Sequence, residues 1–368
     1  MGPMFDLQIP FEDQATRVAV RLDVLDRLGS LLTQLTGGPP RPDVLLVTDR
    51  HVGQLYGHSA AESLRQAGLK TLDFQIEPGE ASKSLEVVGE VYRYLAGHSL
   101  ARDTVIVSLG GGVVSDLAGF VAATWMRGIR FAVCPTTLEA DVDASIGGKT
   151  AINVPGGKNL VGAFHQPILV AVDPACLKTL DTRDVRAGLA ESVKHALVSS
   201  DEFVTWHEAN ADAILALDDP TTVELILENL RIKANIVQKD VHERAGLRML
   251  LNFGHTIGHA IEECCRFALR HGECVSLGMV AACRLSHAMG LLDESVVRRA
   301  ETTLARFGLP TELRDPIETD LIMATIRKDK KIRGGTEQFV LLEAIGRPVV
   351  RNDIPQQAVR DAYESLLP

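Results

Sequence analysis

The sequence predicts an α/β fold with a parallel-sheet domain at the N-terminal side and a mostly α-helical domain after it. Three observations lead there. Between Asp43 and Asp173, short β-branched runs alternate with helical patterns, the signature of a parallel sheet with crossover helices. A run of three glycines, Gly110, Gly111 and Gly112, falls directly between a strand pattern and a helical one. After about Leu180 the strand signals stop and long stretches of helical periodicity replace them.

Taken in order, residues 17–22 read as a strand and 23–35 as a helix, closed by the breaker run Gly37, Gly38, Pro39, Pro40. Strands follow at 43–48, 71–76, 104–109, 131–135 and 168–172, with crossover helices at 51–66 and 85–96. The second half supplies helices at 183–198, 221–241, 250–263 and 272–289. One strand-like run, 338–342, preceded by Gly334 and Gly335, predicts a short β-hairpin. At 368 residues and 46% hydrophobic, the chain exceeds the size of one ordinary domain, so two are expected, 1–180 and 181–368.

Composition excludes several classes of function. A charged fraction of 23% with ordinary Gly and Pro content fits a folded chain rather than a disordered one. The net charge of -10 argues against nucleic acid as a partner, because backbone phosphates are bound by a broad surplus of Lys and Arg; any anion site has to be built locally. The six cysteines lack C-x-x-C spacing and sit mostly in apolar runs, which predicts buried reduced thiols. With no basic stretch leading into an apolar one and no run of membrane-spanning length, no membrane association and a cytoplasmic location are expected.

The glycine run at Gly110 to Gly112 suits a phosphate cradle. Glycines let backbone N–H groups approach an anion, and the following helix adds its N-terminal dipole. The spacing matches neither G-x-G-x-x-G nor the lysine-bearing P-loop. Three further loops fall at the C-terminal ends of strands, where open α/β sheets bind ligands: Thr48–Asp49, the stretch from Pro78 to Lys83, and Pro135–Thr136–Thr137. Asp49 is either a ribose hydrogen-bonding group or a cap. Residues 141–150 and 156–159 set Lys149, Lys158 and Asn159 among glycines, an anion loop in which Asp143 can handle hydroxyls. In the helical half, spacing alone pairs His255 with His259, since residues four apart share a helix face and can grip one ion; structural histidines fit that spacing as well.

Across nearly its whole length the chain resembles the 3-dehydroquinate synthases of the sugar phosphate cyclase superfamily. The stretches that carry the resemblance are 110–120, 122–130, 135–153, 157–166, 186–195, 246–262 and 271–279. It implies a Rossmann-like dinucleotide-binding domain, 1–180, and a metal- and substrate-binding helical domain, 181–368. Glu191, His255 and His271 are implied as ligands of a divalent ion, zinc first and cobalt second, with His259 moved to the substrate pocket. NAD is the implied cofactor, held at Asp49, Glu80, Lys83, Gly111, Gly112, Val113, Asp116, Thr136, Thr137, Lys149, Lys158, Asn159, Cys176 and Thr179. Asp143, Lys149, Lys194, Lys233, Arg248, Asn252 and Lys330 are implied to contact substrate. Arg127 is implied to reach the other subunit's phosphate site in a homodimer.

The implied substrate is a phosphorylated sugar acid, 3-deoxy-arabino-heptulosonate 7-phosphate. Oxidation of its C5 carbinol acidifies the neighbouring proton, so phosphate leaves by β-elimination; reduction, ring opening and an intramolecular aldol step then give 3-dehydroquinate. Lys149, Arg248 and Asn252 suit a carboxylated substrate and speak against 2-deoxy-scyllo-inosose and 2-epi-5-epi-valiolone synthases. An aminodehydroquinate synthase keeps the same pocket. A metal-dependent polyol dehydrogenase of the glycerol dehydrogenase type has less use for so many lysines. The chain departs from the family pattern at Ser115 (usually Gly), Trp125 (usually Tyr), Glu139 (usually Leu) and Asp141 (usually Gln), and the last two are expected to point away from the anion site.

Overall fold

The central apolar runs of the first half are buried on both faces and do not alternate with polar residues, as parallel strands require. The structure, a computed structural model, describes residues 5–11, 14–37, 42–243, 245–266, 268–333 and 338–368. It divides into two compact units, Met1–Leu180 and Asp181–Pro368.

In the first unit the order is β1 (Phe5–Pro10), β2 (Ala15–Val20), α1 (Leu28–Thr36), β3 (Val44–Asp49), α2 (Arg50–Val52), α3 (His58–Gln66), β4 (Thr71–Ile76), α4 (Leu85–Gly97), β5 (Val105–Gly110), α5 (Gly112–Thr124), β6 (Arg130–Pro135), β7 (Lys149–Val154), β8 (Gly157–Phe164) and β9 (Leu169–Val172). Seven strands form one sheet in the order β1-β2-β9-β6-β5-β3-β4. All neighbours run parallel except β1, which lies antiparallel on β2. The chain lays β4 on one side of β3 and then returns to place β5 on the other. That reversal is a topological switch point, and it opens a crevice at the C-terminal ends of β3 and β5.

Two features of this unit differ from the sequence expectation. β1 carries a mostly exposed pattern, so it had no apolar period to reveal it. The expected anion loop, 141–150 with 156–159, runs into an antiparallel hairpin, β7 on β8, with Lys149 opposite Phe164. β8 is solvent-facing along most of its length, which erased the alternation that marks a half-buried strand.

The second unit contains α6 (Thr182–Ser199), α7 (Asp201–Leu215), α8 (Asp219–Val237), α9 (His255–Cys264), α10 (His271–Ala288), α11 (Glu294–Arg306), α12 (Thr319–Arg333), the hairpin β10 (Phe339–Ala344) with β11 (Arg347–Arg351), and α13 (Gln356–Glu364). The expected helix at 250–263 starts only at His255, because Gly254 at φ 78° breaks it from a 3-10 turn, Leu247–Asn252. The hairpin exists and turns at Gly346, φ 74°, while Gly334 and Gly335 lie outside the described residues.

Candidate active site

In the first unit the loops singled out by sequence meet at the C-terminal edge of the sheet. Gly111 caps α5 without a side chain, so the first amides of a 13-residue helix face the crevice. A Cβ on Gly111 would lie 3.0 Å from Thr137 Cγ2, so glycine lets the Thr136–Thr137 loop close over the turn. Thr136 N–H donates to Gly110 O at 3.2 Å. The Lys83 ammonium, 5% exposed, pairs with Asp116 of α5 and lies 3.9 Å from Glu80 Oε1. Glu80 accepts from Asn153 Nδ2 at 2.8 Å, and Asn153 Oδ1 accepts from the Asn159 N–H at 3.0 Å. Asn153, unremarked in the sequence, thus ties the Glu80–Lys83 turn to the hairpin bearing Lys149, Lys158 and Asn159. Val113 is the second residue of α5.

Asp49 is the cap of the following helix, its Oδ1 accepting from Val52 N–H at 2.9 Å. Cys176 is buried and Thr179 Oγ1 donates to its carbonyl at 3.1 Å; Tyr56 joins both, at 2.6 Å from Thr179 Oγ1. Asp143 lies in the wide turn Ala140–Ala144. Arg127 is exposed and follows Met126; both carry left-handed backbone, φ 67° and 47°, a strained presentation rare for residues with a Cβ.

Asp141 is 0% exposed, and neither of its carboxylate oxygens has a hydrogen-bond partner among the described residues. Burial first, then the nearby Asp173, pushes its carboxyl well above the usual range. Asp173 is raised less, because the N–H groups of Ala175, Leu25 and Asp23 donate to it.

Three helices of the second unit bring together side chains that could hold a metal. Glu191 on α6 is fully buried, and its Oε1 lies 3.5 Å from His255 Nε2 on α9 and 3.4 Å from His271 Nε2 on α10. Glycines allow this approach. A Cβ on Gly272 would sit 1.9 Å from Ala187 O, one on Gly278 1.8 Å from Gly254 O, and one on Gly258 2.9 Å from Cys274 O. Only bare backbone lets α10 press against α6 and α9 closely enough.

The hydrogen bonds orient the ligands. His255 Nδ1–H donates to Phe253 O at 3.1 Å, and His271 Nδ1–H donates to Glu262 Oε2 at 3.0 Å, which turns each Nε2 toward Glu191. Burial alone would raise the Glu191 carboxyl; the Lys194 ammonium, then His255, override it and hold the group well below its usual range. His255 is pushed down by burial and then by Lys194. Two imidazole nitrogens and one carboxylate oxygen therefore converge. Tetrahedral zinc with bonds of about 2.0–2.2 Å sets neighbouring ligand atoms about 3.4 Å apart, and both Glu191–imidazole distances match that spacing. Glu262 supplies the outer carboxylate that metal-bound histidines commonly use, and sequence reasoning gave it no role.

His259 is exposed beside this set; its ring lies 5.0 Å from that of His255 and 5.7 Å from that of His271, with ring nitrogens of all three within 4.8 Å. Lys194 is 1% exposed and pairs with Glu191 Oε2; Lys233 on α8 is 6% exposed and Arg248 3%. Arg248 donates from Nη1 to Val241 O at 2.9 Å, and Asn252 ends the same 3-10 turn. That turn is organised by buried Asp240, which accepts from the N–H groups of Ala245 and Leu247 at 2.9 Å each and of Arg248 at 3.3 Å. The side chain of Lys330 lies outside the described residues.

Comparison with known proteins adds the following. Family models described as 3-dehydroquinate synthase N-terminal and C-terminal match residues 73–187 and 188–332. The chain is 43% identical over 350 residues to a 3-dehydroquinate synthase of Symbiobacterium thermophilum, covering 95% of this chain and 97% of that one. Among solved structures, a 2-deoxy-scyllo-inosose synthase complexed with carbaglucose-6-phosphate, NAD+ and Co2+ is similar at TM-score 0.89 and 26% identity, covering 99% and 100% of the two chains. A 2-epi-5-epi-valiolone synthase from Streptomyces hygroscopicus with NAD+ and Zn2+ bound is similar at 0.88 and 29%, covering 97% and 98%. A probable glycerol dehydrogenase from Sinorhizobium meliloti, at 0.62 and 20%, covering 95% of each chain, shares the fold alone.

Proposed function

Since the chain belongs to the 3-dehydroquinate synthase family, we infer that it is an NAD- and metal-dependent carbon–oxygen lyase that turns 3-deoxy-arabino-heptulosonate 7-phosphate into 3-dehydroquinate and phosphate. The observation that carries this reading is the convergence of Glu191, His255 and His271 at tetrahedral zinc spacing. When bound, NAD supplies a reversible hydride acceptor and the metal polarises the hydroxyl to be oxidised.

The residues divide the remaining work. In the first unit, the α5 amides at Gly111, Gly112 and Val113 take the dinucleotide's pyrophosphate on a helix N-terminus. Asp49, Glu80, Lys83, Asp116, Thr136, Thr137, Cys176 and Thr179 hold the rest of the cofactor. Lys149, Lys158 and Asn159 serve the boundary of cofactor and substrate, and Asp143 accepts hydrogen bonds from substrate hydroxyls. In the second unit, Lys194 stands against Glu191, where its charge favours the loss of a proton from the reacting hydroxyl. Arg248 suits a bidentate grip on the substrate carboxylate, with Lys233, Asn252, His259 and Lys330 as its companions.

The chain works as a cytoplasmic homodimer in which the strained turn at Met126 and Arg127 presents the arginine to the other subunit's phosphate site. Among the described residues no helix is long and apolar enough to cross a membrane. Identity supports the dehydroquinate reaction over the two neighbouring cyclases, at 43% against 26% and 29%.

The test is phosphate release from 3-deoxy-arabino-heptulosonate 7-phosphate with catalytic NAD and zinc. Many phosphates per NAD, abolished by a chelator and without lasting NADH, are expected. No phosphate, or stoichiometric NADH from a simple polyol, overturns the reading.

A further inference from the structure

Behind the metal carboxylate, four fully buried polar side chains from α6, α7 and α8 form a closed relay that none of the roles above uses. Ser192, His195, His207 and Asn229 are each 0% exposed. Asn229 Nδ2 donates to Leu225 O at 2.8 Å and to Ser192 Oγ at 2.7 Å, while its Oδ1 accepts from His195 Nδ1 at 2.9 Å. Ser192 Oγ lies 2.7 Å from His207 Nε2, and His207 Nδ1 lies 2.7 Å from Phe203 O.

Only one arrangement of protons satisfies these contacts. The carbonyls of Leu225 and Phe203 can only accept, so Asn229 must turn its amide nitrogen to Leu225 and His207 must carry its proton on Nδ1. Neutral His207, which burial pushes down to about 4, then accepts at Nε2, and the single Ser192 proton goes there. Ser192 Oγ is left to accept from Asn229, and Asn229 Oδ1 to accept from His195, which therefore carries its proton on Nδ1. A ring nitrogen of His195 lies within 4.8 Å of a Glu191 carboxylate oxygen.

We propose that Asn229 is a positioning residue for the metal centre, gripping α6 at Ser192 and His195 so that Glu191 and Lys194 are held at one helix rotation. Ser192 and His195 are three residues apart, on adjacent turns of the helix, and each directly follows one of the site pair Glu191 and Lys194. One amide holding both positions resists rotation of α6 about its axis, which a single contact would not. Its other end is fixed to α8 by Leu225 O, one turn before Asn229 and two before Lys233. A core that only needed to fill space gains little from four buried polar groups, whereas a satisfied network selects one arrangement of its helices.

The inference rests on the metal-centre reading above, so zinc binding by the wild-type chain is measured first, by competition with a chromophoric chelator. A wild type that binds no zinc overturns that reading and the proposal with it. Given wild-type binding, the dissociation constants of Asn229→Leu and Ser192→Ala are compared with it, together with kcat and KM. Asn229→Leu is expected to weaken zinc at least tenfold and to lower kcat more than KM changes; Ser192→Ala keeps the His195 contact and is expected to lose about threefold. Lowered melting temperatures with unchanged zinc affinity and kcat, the outcome for a merely structural network, overturn the proposal. Because Asn229→Leu can fail to fold, nitrogen NMR of the wild-type histidines gives a second readout. A proton on Nδ1 is expected at both His195 and His207, and an unprotonated Nδ1 at either overturns the relay.

Discussion

Gly278→Ala perturbs the metal centre without touching a ligand. The added Cβ would stand 1.8 Å from Gly254 O, and relief to ordinary contact at 3.4 Å drives α10 from α9 by about 1.6 Å. His255 directly follows Gly254, and His271 opens α10, so the separation falls on two of the three ligands. Metal sites tolerate ligand displacements of about 0.2 Å, so one histidine should be lost from the set. Loss of outer partners alone costs about 10–100-fold in metal affinity, and losing a direct ligand should exceed that, to at least about 100-fold or about 2.8 kcal/mol. Overpacking should add about 1–3 kcal/mol of destabilisation. Zinc affinity is read by chelator competition and the fold by circular dichroism and melting in EDTA. Gly89→Ala on α4, where a Cβ meets nothing within 4 Å, is the control and should leave zinc binding intact. A folded Gly278→Ala protein that binds zinc within about threefold of wild type would refute the claim that glycine contacts set the ligand spacing.

Glu262→Ala removes the acceptor at His271 Nδ1 and should cost about 10–100-fold in zinc affinity, with Glu262→Gln losing less; equal affinity in all three proteins removes Glu262 from the metal centre. Asp141→Asn should stabilise the chain increasingly as pH rises. The folded carboxyl has a pKa above the unfolded value of about 3.9, so its contribution is fully present below that pH and is lost as pH climbs toward the folded value. Denaturant unfolding at several pH values should show the advantage of Asn growing by up to about 1.4 kcal/mol per pH unit, and a flat difference contradicts the raised pKa. Lys83→Met breaks the pair with Asp116 that joins the Glu80–Lys83 turn to α5, and calorimetry should find NAD affinity lowered at least about tenfold; wild-type affinity would take the pair out of the nucleotide site.

The parallel sheet was legible because strands buried on both faces are apolar throughout, and the glycine loops because each follows such a strand. The elements missed share the opposite property. β1 and β8 are largely exposed, so no face imposes a period on their residues. At the metal centre, local spacing could see His255 and His259, which are one helix turn apart. It could not see Glu191 meeting His255 and His271, because that depends on α6, α9 and α10 packing through bare glycine backbone far along the chain. The family resemblance supplied that set where spacing could not.

Charge shows the same division between what composition reports and what the fold decides. A net charge of -10 describes a surface, and it gives no hint that Lys83, Lys194, Lys233 and Arg248 are each no more than 6% exposed. Buried cations keep their charge beside acceptors that compensate the lost solvent. Lys83 has Asp116, Lys194 has Glu191, and the turn of Arg248 is held by Asp240. Each acid is thus committed to holding a cation or its backbone in place. An acidic protein can in this way bind a substrate with two anionic groups: the excess acid lies on the outside, screened by salt, while the positive groups act at close range where screening is weak. Raising ionic strength should accordingly affect substrate capture far less than replacing Lys233 or Arg248 does, and an equal loss from both would mean that long-range surface charge, rather than the buried cations, governs binding.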